Sequence, residues 1–394
     1  RAGHVAVIID NQIVFMGGSR FILLTNPIKS SIRVYNLSDE VFSLSLSSQF
    51  STSGPPYVDL SDTSARMKFG SEKGAAVLGG ASRENLYLIG GVQQNLTRLN
   101  EIDSNFNITS NQTLMIEEIS KTYNMTNQIV FLYQPYGKSW LNLLDQKGTP
   151  PTRRRSTSTV INQKGIIYIF GGRSQVDTGS PIFICSNELY TFDTVLLSWN
   201  QINAANVPSP RSHAAPVMLP NGKILYIGGV SQTQPGADAD LIDMNEYTSR
   251  SILVQPRLAH TATLMPNNNE IIIIGGNSNY HLGLTTASPI FLSLNIAKEP
   301  YEYSELITSG DKPPPLAPSE INSRIYLLDI QCKAWVTNFT PGRSICDSVS
   351  RIDIGVVVSF ILGGIIVASA IVVVILYRME IIQCERIEPP AHSI

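Results

Sequence analysis

The feature that most constrains this chain is a short apolar run ending in two glycines. It recurs five times: IVFMGG at Gly17-Gly18, LYLIGG at Gly90-Gly91, IYIFGG at Gly171-Gly172, ILYIGG at Gly228-Gly229 and IIIIGG at Gly275-Gly276. The runs are continuously apolar rather than alternating, the pattern of a strand covered on both faces. A second β-rich run precedes four of them across a polar turn, as in HVAVIID, TSTVINQKG, HAAPVMLPNGK and HTATLMPNNNE. Asn221-Gly222 is a tight-turn signal between two such runs. A glycine pair ends a strand where the backbone needs positive φ and close approach, which a Cβ would obstruct.

Downstream of several pairs come a third run and a fourth that carries an aromatic. Glu188-Leu-Tyr-Thr-Phe-Asp193 is followed by Ser198-Trp199. Arg324-Ile-Tyr-Leu-Leu-Asp329 is followed by Ala334-Trp335, and Lys138-Ser-Trp140 closes an earlier unit. The repeated unit is therefore four strands. In order it reads Arg-x-x-His-x-Ala, apolar-Gly-Gly, Leu-Tyr-x-Phe-Asp, Trp.

This pattern resembles the kelch repeat over about residues 1–340, with the strand-ending glycine pair, the Tyr and the Trp as its hallmarks. The resemblance implies an all-β fold: a kelch-type β-propeller of about six four-stranded blades, the last incomplete, plus one C-terminal transmembrane α-helix. The arrangement is also similar to the galactose-oxidase central-domain surface proteins of fungi, which join a propeller to a single membrane helix. Three departures stand out. Residues 38–70 and 92–130 read as insertions, the fourth unit lacks a Trp strand, and the last lacks its glycine-pair strand. An incompletely closed ring would expose strand edges.

The run from Ile354 to Tyr377 contains no charge. About 20 helical residues cross a bilayer core, so a transmembrane helix is expected here. It divides the chain into a propeller ectodomain (1–340), a juxtamembrane stalk (341–353), the helix (354–377) and a short cytoplasmic tail (378–394). Arg343 and Arg351 before the run balance Arg378 and Arg386 after it, so flanking charge does not set the orientation. Glycosylation triplets at Asn36, Asn95, Asn107, Asn111, Asn124 and Asn338 all precede it. They favour a type I single-pass protein of the plasma membrane with its N-terminal part outside. Gly355, Ser359 and Gly363 recur every four residues, a spacing that lets two helices approach as a homodimer. The first residue is Arg1 rather than Met, as after removal of a signal peptide or in a fragment.

Four cysteines are too few for a disulfide-built fold, and no CxxC spacing marks a zinc site. Cys332 and Cys346 lie close together before the run and suit a short disulfide loop worth about 3 kcal/mol. Cys185 would then be unpaired. Cys384 lies just past the run, where palmitoylation or an idle thiol are both open readings.

The enzyme that the resemblance suggests is galactose oxidase, whose copper needs His and Tyr ligands and a Tyr–Cys cross-link. His4, His213 and His260 share one repeat position at the start of a blade, which points to a repeated structural task such as bonding a neighbouring turn. No Gly-x-Ser-x-Gly, His-Glu-x-x-His or P-loop pattern occurs. The acidic pairs Glu117-Glu118 and Asp238-Ala-Asp240 read as solvated loop charges, and Arg153-Arg154-Arg155 as a repeat arginine with solvated neighbours. With 15% charged residues and a net charge of −2, no field supports nucleic-acid binding. No cofactor or metal is called for, and an enzyme is not expected.

The loops after the glycine pairs, 173–181, 231–240 and 277–289, are the candidate ligand loops, with Tyr280 and His281 as stacking or hydrogen-bonding groups. The expected function is a glycosylated cell-surface interaction module that binds an extracellular protein or glycan. The alternatives are a carbohydrate oxidase and a structural protein of cell polarity or the cell wall.

Overall fold

The computed structural model describes residues 1–21, 35–61, 64–105, 117–118, 120–123, 128–143, 145–232, 234, 240–245, 248, 252–279, 285–306, 325–344, 357–361 and 374–375. The β-rich runs pair as antiparallel sheets in which chain order is sheet order. The first blade is Val5–Ile9, Gln12–Met16, Val41–Ser45 and Tyr57–Asp59. The second is Ala75–Gly79, Asn85–Ile89, Val130–Gln134 and Ser139–Leu141. The third is Ser158–Ile161, Ile166–Phe170, Leu189–Asp193 and Ser198–Ile202. Among the described residues, the fourth has Ala215–Met218 and Ile224–Ile227 in its main sheet. The fifth is Thr261–Leu264, Glu270–Ile274, Phe291–Asn295 and Glu302–Glu305. The first strands of these five blades touch one another in succession, so they line the axis of a β-propeller.

Two sets of backbone contacts join the first five blades in succession. Gly3, Lys73, Ser156, His213 and Ala259, one per blade, all have φ between 54 and 65°. The N–H of Lys73 donates to Gly3 O (2.7 Å), Ser156 to Lys73 O (2.9 Å), His213 to Ser156 O (3.1 Å) and Ala259 to His213 O (3.0 Å). This chain of bonds runs around the axis. Outside it, the N–H of the second glycine of the first four pairs donates to a carbonyl of the following blade. Gly18 reaches Ser71 O (2.7 Å), Gly91 Arg154 O (2.8 Å), Gly172 Arg211 O (2.9 Å) and Gly229 Arg257 O (2.8 Å).

The first glycine packs on that same carbonyl. A Cβ there would lie 2.6 Å from Arg154 O at Gly90 and 2.6 Å from Arg257 O at Gly228. All ten paired glycines have positive φ, from 57° at Gly228 to 94° at Gly229 and Gly276. The pair is therefore required twice over, by backbone conformation and by the neighbouring blade.

Apolar side chains fill the spaces between blades. Val14, Met16, Leu86 and Leu88 form one cluster between the first and second blades, with Trp140 packed against it. Tyr87, Ile167, Phe192 and Trp199 form another between the second and third. Phe170 meets Tyr226 between the third and fourth, with centroids 4.6 Å apart. Val217, Ile227, Ile271 and Leu292 join the fourth to the fifth. Phe192 is fully buried, and truncating such a side chain to Ala costs about 3–5 kcal/mol. The three tryptophans pack against aromatic residues of third strands, Tyr133 for Trp140, Phe192 for Trp199 and Phe291 for Trp335.

The sixth blade closes the ring. Ile325–Asp329 and Ala334–Val336 are its third and fourth strands, and Leu328 and Trp335 pack on Ile272 and Ile274 of the fifth blade. On the other side Leu327 and Phe339 join Ile13, Phe15 and Leu44 of the first blade. Asn338–Phe339 also pairs antiparallel with Phe50–Ser51, and Phe50 stacks on Phe339 at 5.0 Å. Although the sequence shows no glycine-pair strand for this blade, the chain after the last Trp joins it to the first blade.

Several expectations change. Residues 38–70 are not merely exposed loop: they hold the third and fourth strands of the first blade, with a long connection at 46–56 between them. Their Ser-rich text hides Val41 and Leu44, both fully buried. Residues 92–130 do carry an insertion, including the helix Leu96–Asn105. Of the uncharged run, Val357–Ile361 is described as a strand beside Ile325–Asp329, and Val374–Ile375 as a strand beside Val357–Ile361. No helix among the described residues is long and apolar enough to cross a membrane. A Val- and Ile-rich run suits a doubly covered strand as well as a lipid-facing helix, and the half-built sixth blade offers it an edge. Ser359 lies in that strand, whereas Gly355 and Gly363 lie outside the described residues.

Among the glycosylation triplets, Asn338 is exposed and Asn95 caps the helix, accepting the Arg98 N–H at 3.0 Å. Asn36 lies in the strand Tyr35–Leu37, and Asn107, Asn111 and Asn124 lie outside the described residues. Cys332 is disulfide-bonded, while Cys346 lies outside the described residues.

The histidines do not share one repeat position. His4 and His260 follow the positive-φ residue, whereas His213 occupies it. Both ring nitrogens of His4 lack a hydrogen-bonding partner among the described residues, so it packs rather than bonds. Its Cβ would lie 3.0 Å from a Cβ on Gly18, and that of His260 2.9 Å from one on Gly276. Burial, helped by the charges of the N-terminus and Arg1, pushes the pKa of His4 down to about 4; burial beside Arg257 pushes His260 to about 3.

Gly228→Ala is expected to cost about 3 kcal/mol or more, from collision and a left-handed φ together. Gly222→Ala, also at positive φ (81°) but with nothing within 4 Å, should cost only about 1 kcal/mol. Equal losses in urea denaturation would contradict the account of the pair. For the histidines, the folded pKa values lie below the unfolded 6.5, so the unfolded chain takes up protons first. Stability is fully present above about pH 6.5 and falls by about 1.4 kcal/mol per pH unit per residue on acidification, down to the folded values. His260→Leu should flatten this slope, and an unchanged pH profile of the denaturation midpoint would count against neutral packing.

Candidate ligand-binding face

After each glycine pair the chain turns and pairs back on the segment that precedes its own first strand. Val92–Gln94 pairs with Gly70–Glu72, and Arg211–Ser212 with Val230–Ser231. Single bridges do the same at Ala2 and Ser19, Arg155 and Arg173, and Leu258 and Asn277. These rungs surround the positive-φ residues and form one face of the propeller. The turns within the blades form the opposite face.

The centre of this face is charged and closely packed. Lys73 Nζ lies 2.8 Å from Glu72 Oε1, and Arg155 pairs with Asp177. Arg173 stacks over the Phe183 ring at 4.8 Å. His213 Nε2 is 2.9 Å from Ser156 Oγ, and its Nδ1 is 3.0 Å from Ser212 Oγ. Burial, reinforced by the charges of Arg173, Arg155 and Lys73, holds His213 well below its ordinary pKa. Burial likewise lowers Lys73 against the pull of Glu72. The insertion in the second blade delivers Tyr123 to this centre, where burial and the carboxylates of Glu72 and Asp177 push its hydroxyl up to about 12.

Between the third and fourth blades this face opens into a cleft of about 410 Å³. Ser174, Cys185, Ser186, Asn187, Gln232 and Gln234 line it, together with Arg154 and Glu188, which form an ion pair. Cys185 is buried, its thiol 3.6 Å from Ser212 Oγ and its N–H held by Gln232 Oε1 at 2.7 Å. Burial raises the thiol pKa, which disfavours the thiolate. Among the described residues no group of three or more His, Cys, Asp or Glu is placed to hold a metal ion.

The loop 173–181 supplies Arg173, Ser174 and Asp177 to the face. The loop 231–240 supplies Gln232 and Gln234 to the cleft. Tyr280 and His281 lie outside the described residues. The arginine run is not solvated: Arg153, Arg154 and Arg155 are all buried. Arg153 donates to Gln128 O (2.6 Å), and the other two pair with Glu188 and Asp177.

Arg154 has counterparts. Arg1, Arg154 and Arg257 each donate to the carbonyl of the first glycine in their own blade, Gly17 (3.3 Å), Gly171 (3.5 Å) and Gly275 (2.9 Å). Arg1 and Arg154 also pair with Glu40 and Glu188, which stand two residues after Ser38 and Ser186. That repeated Ser-x-Glu was the available sequence signal. Lys73, Glu72, Asp177 and Tyr123 had none, because they meet only when blades and insertion are assembled.

Comparison with a family model agrees with the repeated blades. The family model of the KLHDC2/KLHL20/DRC7 Kelch-repeats domain matches residues 3–235 and 118–320. Acyl-CoA-binding domain-containing protein 5 of Arabidopsis thaliana is 26% identical over 156 residues, 38% of this chain and 22% of that protein. Beta-scruin of Limulus polyphemus is 28% identical over 127 residues, 31% of this chain and 14% of that protein. The chain thus matches less than a quarter of the length of either relative. A solved structure of YjhT, 15% identical, covers 74% of this chain and 81% of its own with a TM-score of 0.49. With the family model covering most of its length, the chain belongs to the KLHDC2/KLHL20/DRC7 Kelch-repeats domain family.

Proposed function

We propose that this chain is a membrane-displayed binding module whose glycine-pair face engages an extracellular protein or glycan. The observation that carries this reading is the cleft between the third and fourth blades, beside the buried charges at the centre of the same face. Kelch propellers are in general protein-binding modules. The cleft has the size of a ligand site, and Gln232, Ser174 and Ser186 in its lining are held by backbone and side-chain bonds before any ligand arrives. The reading is of binding rather than catalysis.

The display on a membrane rests on the run 354–377. As a helix it extends about 36 Å, against a hydrocarbon core of about 30 Å. In a bilayer the span satisfies every backbone group internally, and we assign it that state, with Val357–Ile361 released from the sixth blade. The arrangement is similar to the membrane-anchored kelch proteins of fungi.

The binding partner is to be captured with the full chain in detergent, on a glycan array and by pull-down from cell surfaces. Asn187→Trp, which fills the cleft from an exposed position, should weaken binding at least about tenfold, or about 1.4 kcal/mol, without shifting Tm. Lys223→Ala on the opposite face should leave binding unchanged. Equal effects would move the site elsewhere, and stoichiometric copper with oxidase activity would overturn the binding reading. Endoglycosidase treatment of the cell-expressed chain should lower its mass, and no change would count against an extracellular propeller.

A further inference from the structure

We infer that the propeller sits on its membrane with the turn face down, against the lipid surface, and the cleft face pointing away from it. The inference rests on the membrane span proposed above and adds its orientation.

Where the chain leaves the propeller fixes the geometry. Third strands start beside the glycine pair, since Gly17 N–H donates to Glu40 O (3.1 Å) and Gly171 N–H to Glu188 O (3.1 Å). They therefore end on the opposite face. Asp193 ends one of them and accepts the N–H groups of Val195 and Leu196 at 2.8 Å each. Asp329 does the same in the sixth blade, accepting Gln331 N–H at 3.0 Å and Cys332 N–H at 3.3 Å. The turn after Asp329 is thus on the turn face.

Ser344, the last described residue before the uncharged run, is tied to that turn. Its Oγ donates to Asp329 Oδ2 at 2.6 Å and lies 3.1 Å from Cys332 Sγ. About nine residues separate Ser344 from Ile354, a reach of about 30 Å when fully extended. The turn face is the one that this tether holds near the bilayer.

The chemistry of the face fits a lipid surface. Tyr136, Val195 and Leu196 stand at turn tips with 65%, 52% and 66% of their surface exposed. Lys138, Lys164, Lys223, Lys298 and Lys333 are exposed on the same set of turns, against Asp10, Glu84 and Glu299. Apolar tips among lysines match the boundary between acyl chains and phosphate headgroups. The tips belong to the second and third blades and the tether to the sixth, across the ring, so the two attachments hold the face flat. The cleft, on the other face, stays open to partners from outside.

The test uses the full chain carrying Cys384→Ser, in nanodiscs of phosphatidylcholine doped with a headgroup nitroxide lipid. A fluorophore is attached to Leu196→Cys on the turn face or to Ile182→Cys on the cleft face, both exposed positions. Fluorescence at position 196 should fall at least twofold, with no change at position 182. Equal or reversed quenching in a chain that resists alkaline carbonate extraction overturns the orientation alone. A chain that carbonate releases from membranes overturns the span and, with it, this inference.

Discussion

The structure depends on one repeated contact: a backbone carbonyl of the second to fifth blades, each received by the glycine pair of the blade before it. The second glycine donates its N–H to that carbonyl, and the first lies against it with no Cβ to intervene. The inner chain of bonds from Gly3 to Ala259 repeats the arrangement at the axis. Both contacts satisfy polar groups that would otherwise be buried unpaired between sheets, where each would cost about 1–3 kcal/mol. Apolar packing between blades is extensive but carries no direction. The glycine contacts set the angle at which it happens.

The same constraint explains where the charges are. Arg1, Arg154 and Arg257 donate to the carbonyl of the first glycine of their own blade, so they must be buried. Arg257 has no exposed surface. A buried guanidinium needs partners, and Glu40 and Glu188 supply them in the first and third blades. Elements that hold the ring together thus also line the cleft. That coupling places a polar, preorganised opening between the third and fourth blades.

Legibility differed from element to element. The strands of the third blade, the tight turn at Asn221-Gly222 and the three tryptophans could be read directly, because each follows from local pattern and turn chemistry. The third strand of the first blade was misread as insertion. Its alternating Val41-Phe-Ser-Leu-Ser45 lacks the Tyr and Asp of its equivalents, and only pairing with Gln12–Met16 reveals it. The histidines were grouped by nearness to a strand start. One residue of register separates His213 from His4 and His260, and that residue decides between a hydrogen-bonded ring and packed ones.

The sequence by itself determined the repeat, the strand polarity and the places where only glycine fits, since these depend on local backbone conformation and periodicity. It also marked the uncharged run and the loops 173–181 and 231–240 that reach the glycine-pair face. The tertiary structure alone decided that the ring closes through Phe50 and Phe339, that the arginine run is buried, and that Lys73, Arg155, Asp177, His213 and Tyr123 share one centre. The physical reason is that these contacts join residues far apart in the chain. Their energy exists only once neighbouring blades have fixed each other's position, so no local pattern records it.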